Sequence, residues 1–301
     1  MPRALVGLSR ALYMQRQYFS PLAVLLFSLI FTSLSYANAE ALDDGALIKW
    51  RGSWQQGGLL LGQVESGSTL SHQGKKIKTT AAGQFLFGLG RNAPAISTFV
   101  VTDLRGVETE AEFQVAPRNY NIQKVEGVPQ RTVEPPPEQL QRIRSDSALV
   151  SQARRLVSDK TDFLSGFIKP LEGPITGVYG SQRFYNGVPK SPHYGLDYAA
   201  PEGTIVKAPA AGIVRLAHDN LFYSGGTLII DHGHGLSSSF LHLSEILVGQ
   251  GYRVQQGEPI ARVGSTGRAT GAHLDWRMNW LDQRVDPALV LESFPVQSPA
   301  Q

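Results

Sequence analysis

Three histidines and two aspartates recur at short spacings in a chain of 301 residues that has no cysteine. His193 and Asp197 stand four apart in Ser191-Pro-His-Tyr-Gly-Leu-Asp197, His242 lies in Leu241-His-Leu-Ser244, and His273 and Asp275 stand two apart in Thr270-Gly-Ala-His-Leu-Asp275. Neutral imidazole and carboxylate are the nitrogen and oxygen donors that suit a tetrahedral zinc ion. Residues two apart on an extended strand face the same way. His273 and Asp275 can therefore reach one site while Leu274 turns toward the core. Taken singly, a His–Asp pair also reads as a surface ion pair worth little energetically, and an isolated H-x-x-x-D match is common by chance. Six of the seven histidines lie between His193 and His273, which puts the chemistry in the C-terminal half. No H-E-x-x-H segment occurs, so a thermolysin-type site is excluded. The other histidines read as structural or solvated: His72 in a polar turn, His218 in a polar loop with Asp219 and Asn220, and His232 and His234 flanking a turn, with His234 exposed.

The elements that must position these residues are mainly β. Between residues 45 and 116, glycine, serine and asparagine clusters separate short runs such as Gly58–Val64, Gln84–Phe87 and Ile96–Val101, while Glu110–Val115 alternates polar and apolar. Strands at this spacing predict an N-terminal immunoglobulin-like sandwich. Glu134-Pro-Pro-Pro-Glu138 is a stiff break that favours an extended polyproline path. Glu138 to Asp159 then reads as a helix with arginines between its apolar positions. That helix is either a solvated connector packed on one domain or a basic face for an anionic polymer. From Gly166 to about Pro295 the chain is rich in glycine and returns to strands, with candidates at Thr204–Val206, Gly212–Ala217, Thr227–Asp231 and Ile260–Val263. The expected organisation is a signal segment over 1–39, a β-sandwich over 40–118, a Pro-rich and helical linker over 119–165, an antiparallel β domain over 166–295, and a tail over 296–301.

Over residues 170 to 290 the motifs resemble, in order, those of the lysostaphin-type (LytM-type) zinc endopeptidases of bacterial cell walls. The resemblance is carried by Arg183 to Asp197, by Ala199 to Val214, and by Ile230-Asp-His-Gly233, Phe240-Leu-His-Leu-Ser244 and Val263-Gly-Ser-Thr-Gly-Arg-Ala-Thr-Gly-Ala-His273. It implies that His193 and Asp197 are zinc ligands and that His242 and His273 are catalytic without binding the metal. Asp275 stands where the family has a histidine as its third ligand. An aspartate oxygen is acceptable there at a similar bond length. The exchange lowers the formal charge of the centre from +1 to zero, which weakens polarisation of a carbonyl and of bound water. The implied activity is hydrolysis of peptide cross-links in peptidoglycan. The alternative is a weakened or inactive homologue that regulates another wall hydrolase, with cell-wall hydrolases or division proteins as partners. A biotinyl- or lipoyl-type carrier domain, suggested by Ala208–Val214 and Gly257–Val263, fails because no lysine lies between Val214 and Gly257.

The first 39 residues read as a cleaved export signal: Arg3, Arg10 and Arg16 precede an apolar run from Leu22 to Leu34, and Ala37-Asn38-Ala39 fits a cleavage site. Met14 would start a more ordinary signal. The apolar run is shorter than the roughly 20 residues that span a bilayer. The expected setting is the periplasm, with no stable membrane insertion after cleavage. That segment holds three of the 28 basic residues and none of the 25 acidic ones, so the 262 residues that follow are formally neutral. Their charge gives no argument for nucleic acid binding.

Overall fold

A cluster of six aromatic side chains organises the first half of the computed structural model, which describes residues 47–126 and 137–296. The expected export signal, most of the proline run and most of the tail lie outside these residues. Lys49–Gly52 (β1), Leu59–Gln63 (β2) and Gln84–Gly88 (β5) form one antiparallel sheet in the order β1-β2-β5. Thr69–His72 (β3), Lys75–Ile77 (β4), Ile96–Thr102 (β6) and Glu108–Gln114 (β7) form a second, in the order β4-β3-β6-β7. Along β6 the period-two pattern holds: Ser97, Phe99 and Val101 point inward and their neighbours outward. The sheets pack face to face through Trp50, Trp54, Phe85, Phe87, Phe99 and Phe113, with the Trp54 and Phe113 rings stacked at 4.8 Å. His72 is not the solvated turn residue expected. It ends β3 half-buried, 4.8 Å from the Phe87 ring, with Nδ1 2.8 Å from the Thr98 carbonyl.

Ile122–Val125 (β8) leads toward Leu140–Arg155 (α1), shorter at its C-terminal end than the helix expected to Asp159. Ile175–Gly177 (β9) precedes a hairpin of Gln182–Tyr185 (β10) and Val188–Pro189 (β11). The hairpin turns through Asn186 and Gly187, both at positive φ, as a primed turn demands. It pairs in parallel with β8.

The strands that carry the site follow: Gly195–Ala199 (β12), Ile205–Lys207 (β13), Gly212–Leu221 (β14), Gly225–Gly233 (β15), Leu236–Leu243 (β16), Glu245–Ile246 (β17), Arg253–Val254 (β18), Pro259–Arg262 (β19), His273–Trp280 (β20) and Gln283–Val285 (β21). The main sheet runs β18-β14-β15-β16-β20-β12-β9, with β21 beside β20, and a small sheet runs β13-β19-β17. β15 and β16 are buried along their whole length. Leu274, Trp276 and Met278 of β20 face the apolar core, which leaves 273, 275 and 277 for the opposite face. Val150 and Ala153 of α1 pack on Leu216, Leu221 and Ile229 of that sheet. Pro287–Ser293 (α2) closes the chain, its first turn capped by Asp286, which also takes an ion pair from Arg118 at 2.9 Å. One buried apolar cluster runs from Ile48 to Phe294, so the N-terminal sheets share a core with the main sheet. Gly88 permits this contact, since a Cβ there would lie 2.9 Å from Trp280 Cβ.

A candidate metal centre in an arginine-lined groove

Register builds the site. β12 and β20 are antiparallel, with Asp197 opposite Asp275, Gly195 opposite Arg277 and Ala199 opposite His273. Side chains directly opposite in such a pair stand on the same face, so the two carboxylates meet. His193, two residues before β12, is fixed by its own N–H to the Ser181 carbonyl and by Gly180 N–H to its carbonyl, both at 2.8 Å. Its Nε2 then lies 3.2 Å from Asp197 Oδ1. Donor atoms of His193, Asp197 and Asp275 all lie within 4.8 Å of one another. Zinc–donor bonds of about 2.0–2.2 Å put two tetrahedral ligands roughly 3.5 Å apart, so a modest closure accommodates the ion. His193 Nε2 and Asp197 Oδ1 are both buried and have no partner beyond each other at 3.2 Å. Buried polar atoms left unpaired are costly, and a metal would satisfy both. These residues fit the group.

Two glycines make room for the carboxylates. A Cβ at Gly195 would stand 2.1 Å from Asp275 Oδ1, and one at Gly177 2.1 Å from Asp197 Oδ2. Asp275, 2% exposed, has a second partner that the sequence reading missed. Arg277 Nε donates to both of its oxygens, at 2.9 and 3.0 Å, and Arg277 Nη2 donates to Oδ2. Burial alone would raise the Asp275 carboxyl, but the charge and hydrogen bonds of Arg277 hold it below the usual carboxylate range. Burial disfavours the charged His193 ring, yet the Asp197 side chain and the charge of Asp275 outweigh it and raise its pKa.

His242 and His273 line the same groove as these three residues, with ring centroids 4.8 Å apart. His242, next to last in β16, has φ 64°, and its Nδ1 lies 2.8 Å from the Thr266 carbonyl. Nδ1 is therefore the donor, and Nε2 keeps the free lone pair. His273 is set in the same way, with Nδ1 2.8 Å from the Gly271 carbonyl. Burial lowers the pKa of His242, which favours the neutral ring that can accept a proton. Thr266 is itself held by Gly226 N–H to its Oγ1 at 2.9 Å, and a Cβ at Gly225 would overlap that oxygen at 2.2 Å.

All five predicted residues line one groove of about 1780 Å³, together with Arg277, Arg284, the β10–β11 hairpin and one side of α1. The helix is anchored there by Phe222 N–H to Asp146 Oδ2 at 2.7 Å and by Arg142 Nη2 to the Asn220 carbonyl at 2.9 Å. The remaining histidines stand apart. His232 is fully buried, with Nδ1 2.8 Å from the Ala211 carbonyl and Nε2 2.8 Å from Ser238 Oγ. His234, expected to be exposed, is buried against Phe163. His218 belongs to β14 and accepts from Asn220 N–H, not to a loop.

Residues 191–287 match the model of peptidase family M23. The peptidoglycan DD-endopeptidase ShyA of Vibrio cholerae is 40% identical over 88 residues, which is 29% of this chain and 20% of ShyA. The DD-carboxypeptidase/endopeptidase Mpg of Neisseria meningitidis is 42% identical over 103 residues, 34% of this chain and 24% of Mpg. The chain thus spans about a fifth to a quarter of the length of these curated relatives. A solved structure described as a putative peptidase M23 from Pseudomonas aeruginosa superposes with a TM-score of 0.64 at 32% identity, over 80% of this chain and 96% of that one.

Proposed function

We propose, from the premise that the chain belongs to peptidase family M23, that it is a zinc-dependent endopeptidase that hydrolyses peptide cross-links of peptidoglycan. The observation that carries the reading is the buried pair His193 Nε2 and Asp197 Oδ1, with no partner beyond each other, beside two imidazoles held through their Nδ1 atoms. His193, Asp197 and Asp275 would hold the metal. Bound there, zinc supplies Lewis acidity toward a carbonyl oxygen and toward water. The rest is the work of the chain's own groups. His242, locked as the Nδ1–H tautomer by Thr266, accepts a proton at Nε2. His273, fixed by Gly271, offers a second imidazole within one ring's width, so one ring can take the proton while the other stabilises charge that develops at the reacting carbonyl. The relatives act on cell-wall peptides, which supports an extracytoplasmic setting; export by a cleaved signal to the periplasm belongs to the same proposal. Among the described residues no helix is long and apolar enough to cross a membrane.

One observation favours a second reading, a regulator of another wall hydrolase: both oxygens of Asp275 are engaged by Arg277. Digestion of purified sacculi separates the two. The endopeptidase reading expects zinc-dependent release of peptides with one new amine per cleaved link, stoichiometric zinc lost in His193→Ala, and zinc kept with activity reduced about 10²–10⁴-fold in His242→Ala. Wild-type protein that carries zinc and leaves sacculi intact would favour the regulator.

A further inference from the structure

β20 continues its groove-facing row past Asp275 with Arg277 and Asn279, and both line the groove. Asn279 Oδ1 accepts from Arg284 Nη1 at 2.9 Å, across the β20–β21 pair in which the two residues are in register. From the helix side, Arg154 near the end of α1 reaches Ser239 Oγ at 3.3 Å. Ser239 is the register partner of Arg277 on β16. Three guanidinium groups from three elements therefore converge on one stretch of groove floor.

Their counter-charge is incomplete. Among the described residues no carboxylate pairs with Arg154, and the carboxylate whose charge bears most on Arg284 is Asp275, already bonded to Arg277. Asp146 on α1 is committed to Phe222 N–H, and Asp282 stands exposed at the rim. With Asp275 and, acting on Arg277, Asp197 set against three guanidiniums, the cluster keeps a surplus of one positive charge, and Arg154 Nε is buried without a partner. Burial, then the charges of Arg284 and Arg277, push the Arg154 guanidinium down to about 8; burial and Arg277 lower Arg284 to about 10. Cations held together in this way are relieved by an anion, and the planar fork of a guanidinium matches a carboxylate bidentately.

We propose that Arg154 and Arg284, with Arg277 between them, form a subsite for a free carboxylate of the peptide substrate. The proposal rests on the reading of the groove as a peptidoglycan endopeptidase site. From Asp275 to Asn279 the strand rises roughly 13 Å at about 3.3 Å per residue. A peptide laid along this row therefore carries the recognised carboxylate within about four residues of the scissile bond. Arg154 lies on the helix before the matched family segment, so the helix completes substrate recognition.

The probes are a cross-linked muropeptide dimer with free carboxylates and the same dimer with those carboxylates amidated, which removes charge at nearly constant size. Zinc-loaded wild type is expected to prefer the free acid in kcat/KM by about 10- to 100-fold, the range of a charge-assisted hydrogen bond. Arg154→Gln and Arg284→Gln should each bring that ratio down to about threefold or less. Calorimetry on metal-free wild type should show tighter binding of the free acid, independently of turnover. Equal kcat/KM together with equal binding of the two dimers, or a preference that survives both substitutions, overturns the subsite. If neither dimer is cut, the endopeptidase reading falls, and the metal-free binding comparison still decides the subsite. Should Arg284→Gln fail to fold, Arg154→Gln on the half-buried helix face carries the test.

Discussion

Arg277→Gln is the most direct perturbation of this centre. In the metal-free protein Asp275 is 2% exposed and takes three hydrogen bonds from Arg277, whose side chain is 25% exposed. Removing one partner of a buried pair strands the other charge, at about 3–5 kcal/mol. The partial exposure of Arg277 lets water screen the vacancy, which lowers the expected cost to about 2–3 kcal/mol. In a protein of this size each kcal/mol moves Tm by about 2–4 °C, so calorimetry with chelator present should find Tm lower by about 4–12 °C. Zinc should reverse the order. The freed carboxylate becomes an unencumbered third ligand beside His193 and Asp197, and the site loses one repelling positive charge. The zinc-induced rise in Tm should therefore exceed that of wild type, and titration calorimetry should show tighter zinc binding. If metal-free Arg277→Gln matches wild type in Tm and its zinc shift is no larger, Arg277 is not what satisfies Asp275.

Gly195→Ala should cost about 1–3 kcal/mol through overpacking and abolish stoichiometric zinc, because the new methyl would meet Asp275 Oδ1. Gly249→Ala, with nothing within 4 Å, is the control, and equal effects from the two would refute the cradle. The stability of the metal-free protein should fall from pH 7.5 to 5.5 in urea unfolding. Burial lowers the folded pKa of His232, His234 and His242, so below about 6.5 the unfolded chain binds their protons first and folding loses ground. His193, raised by its acidic neighbours, works the other way, one group against three. A flat or rising stability profile would contradict these burial assignments.

What was legible in the sequence and what was not divide along a physical line. Apolar runs bounded by turn residues located β6, β14, β15 and β19, alternation located β7, and the two-residue spacing of His273 and Asp275 put both on one face, where register sets Asp275 opposite Asp197. His234 and His72 were misread for one cause: their surroundings come from distant chain. His234 sits in a Gly-His-Gly turn that reads as solvent-facing. The segment after α1 covers that turn so closely that a Cβ at Gly233 would lie 1.7 Å from the Lys160 carbonyl. His72 is enclosed by Phe87 and Phe99 from other strands. Arg277 was visible as the next inward position after Asp275. An arginine two residues past a ligand reads as a solvated surface charge until the buried Asp275 and the side-chain-free Gly195 opposite show why it turns in. Arg154 carried only the general signal of a basic helix, which reads more readily as a solvated connector than as a face for an anionic polymer.

The arginine changes what the aspartate means. With His193, Asp197 and Asp275 alone, a divalent ion is neutralised, and the sequence predicts a centre that polarises water and carbonyls less. Arg277 returns one positive charge within hydrogen-bond reach of the proposed third ligand, so the Asp–Arg pair would present an ion with the net charge of a neutral imidazole. The pair need not dissolve for this to work. A carboxylate offers about four lone-pair directions, and Arg277 occupies three through two nitrogens. One direction is left for a metal within the 4.8 Å spread of the other two donors. An aspartate that serves as ligand on one side and as counter-ion on the other requires a small residue diagonally across the strand pair from it and a cation behind it. Gly195 and Arg277, directly paired across β12 and β20, meet both requirements.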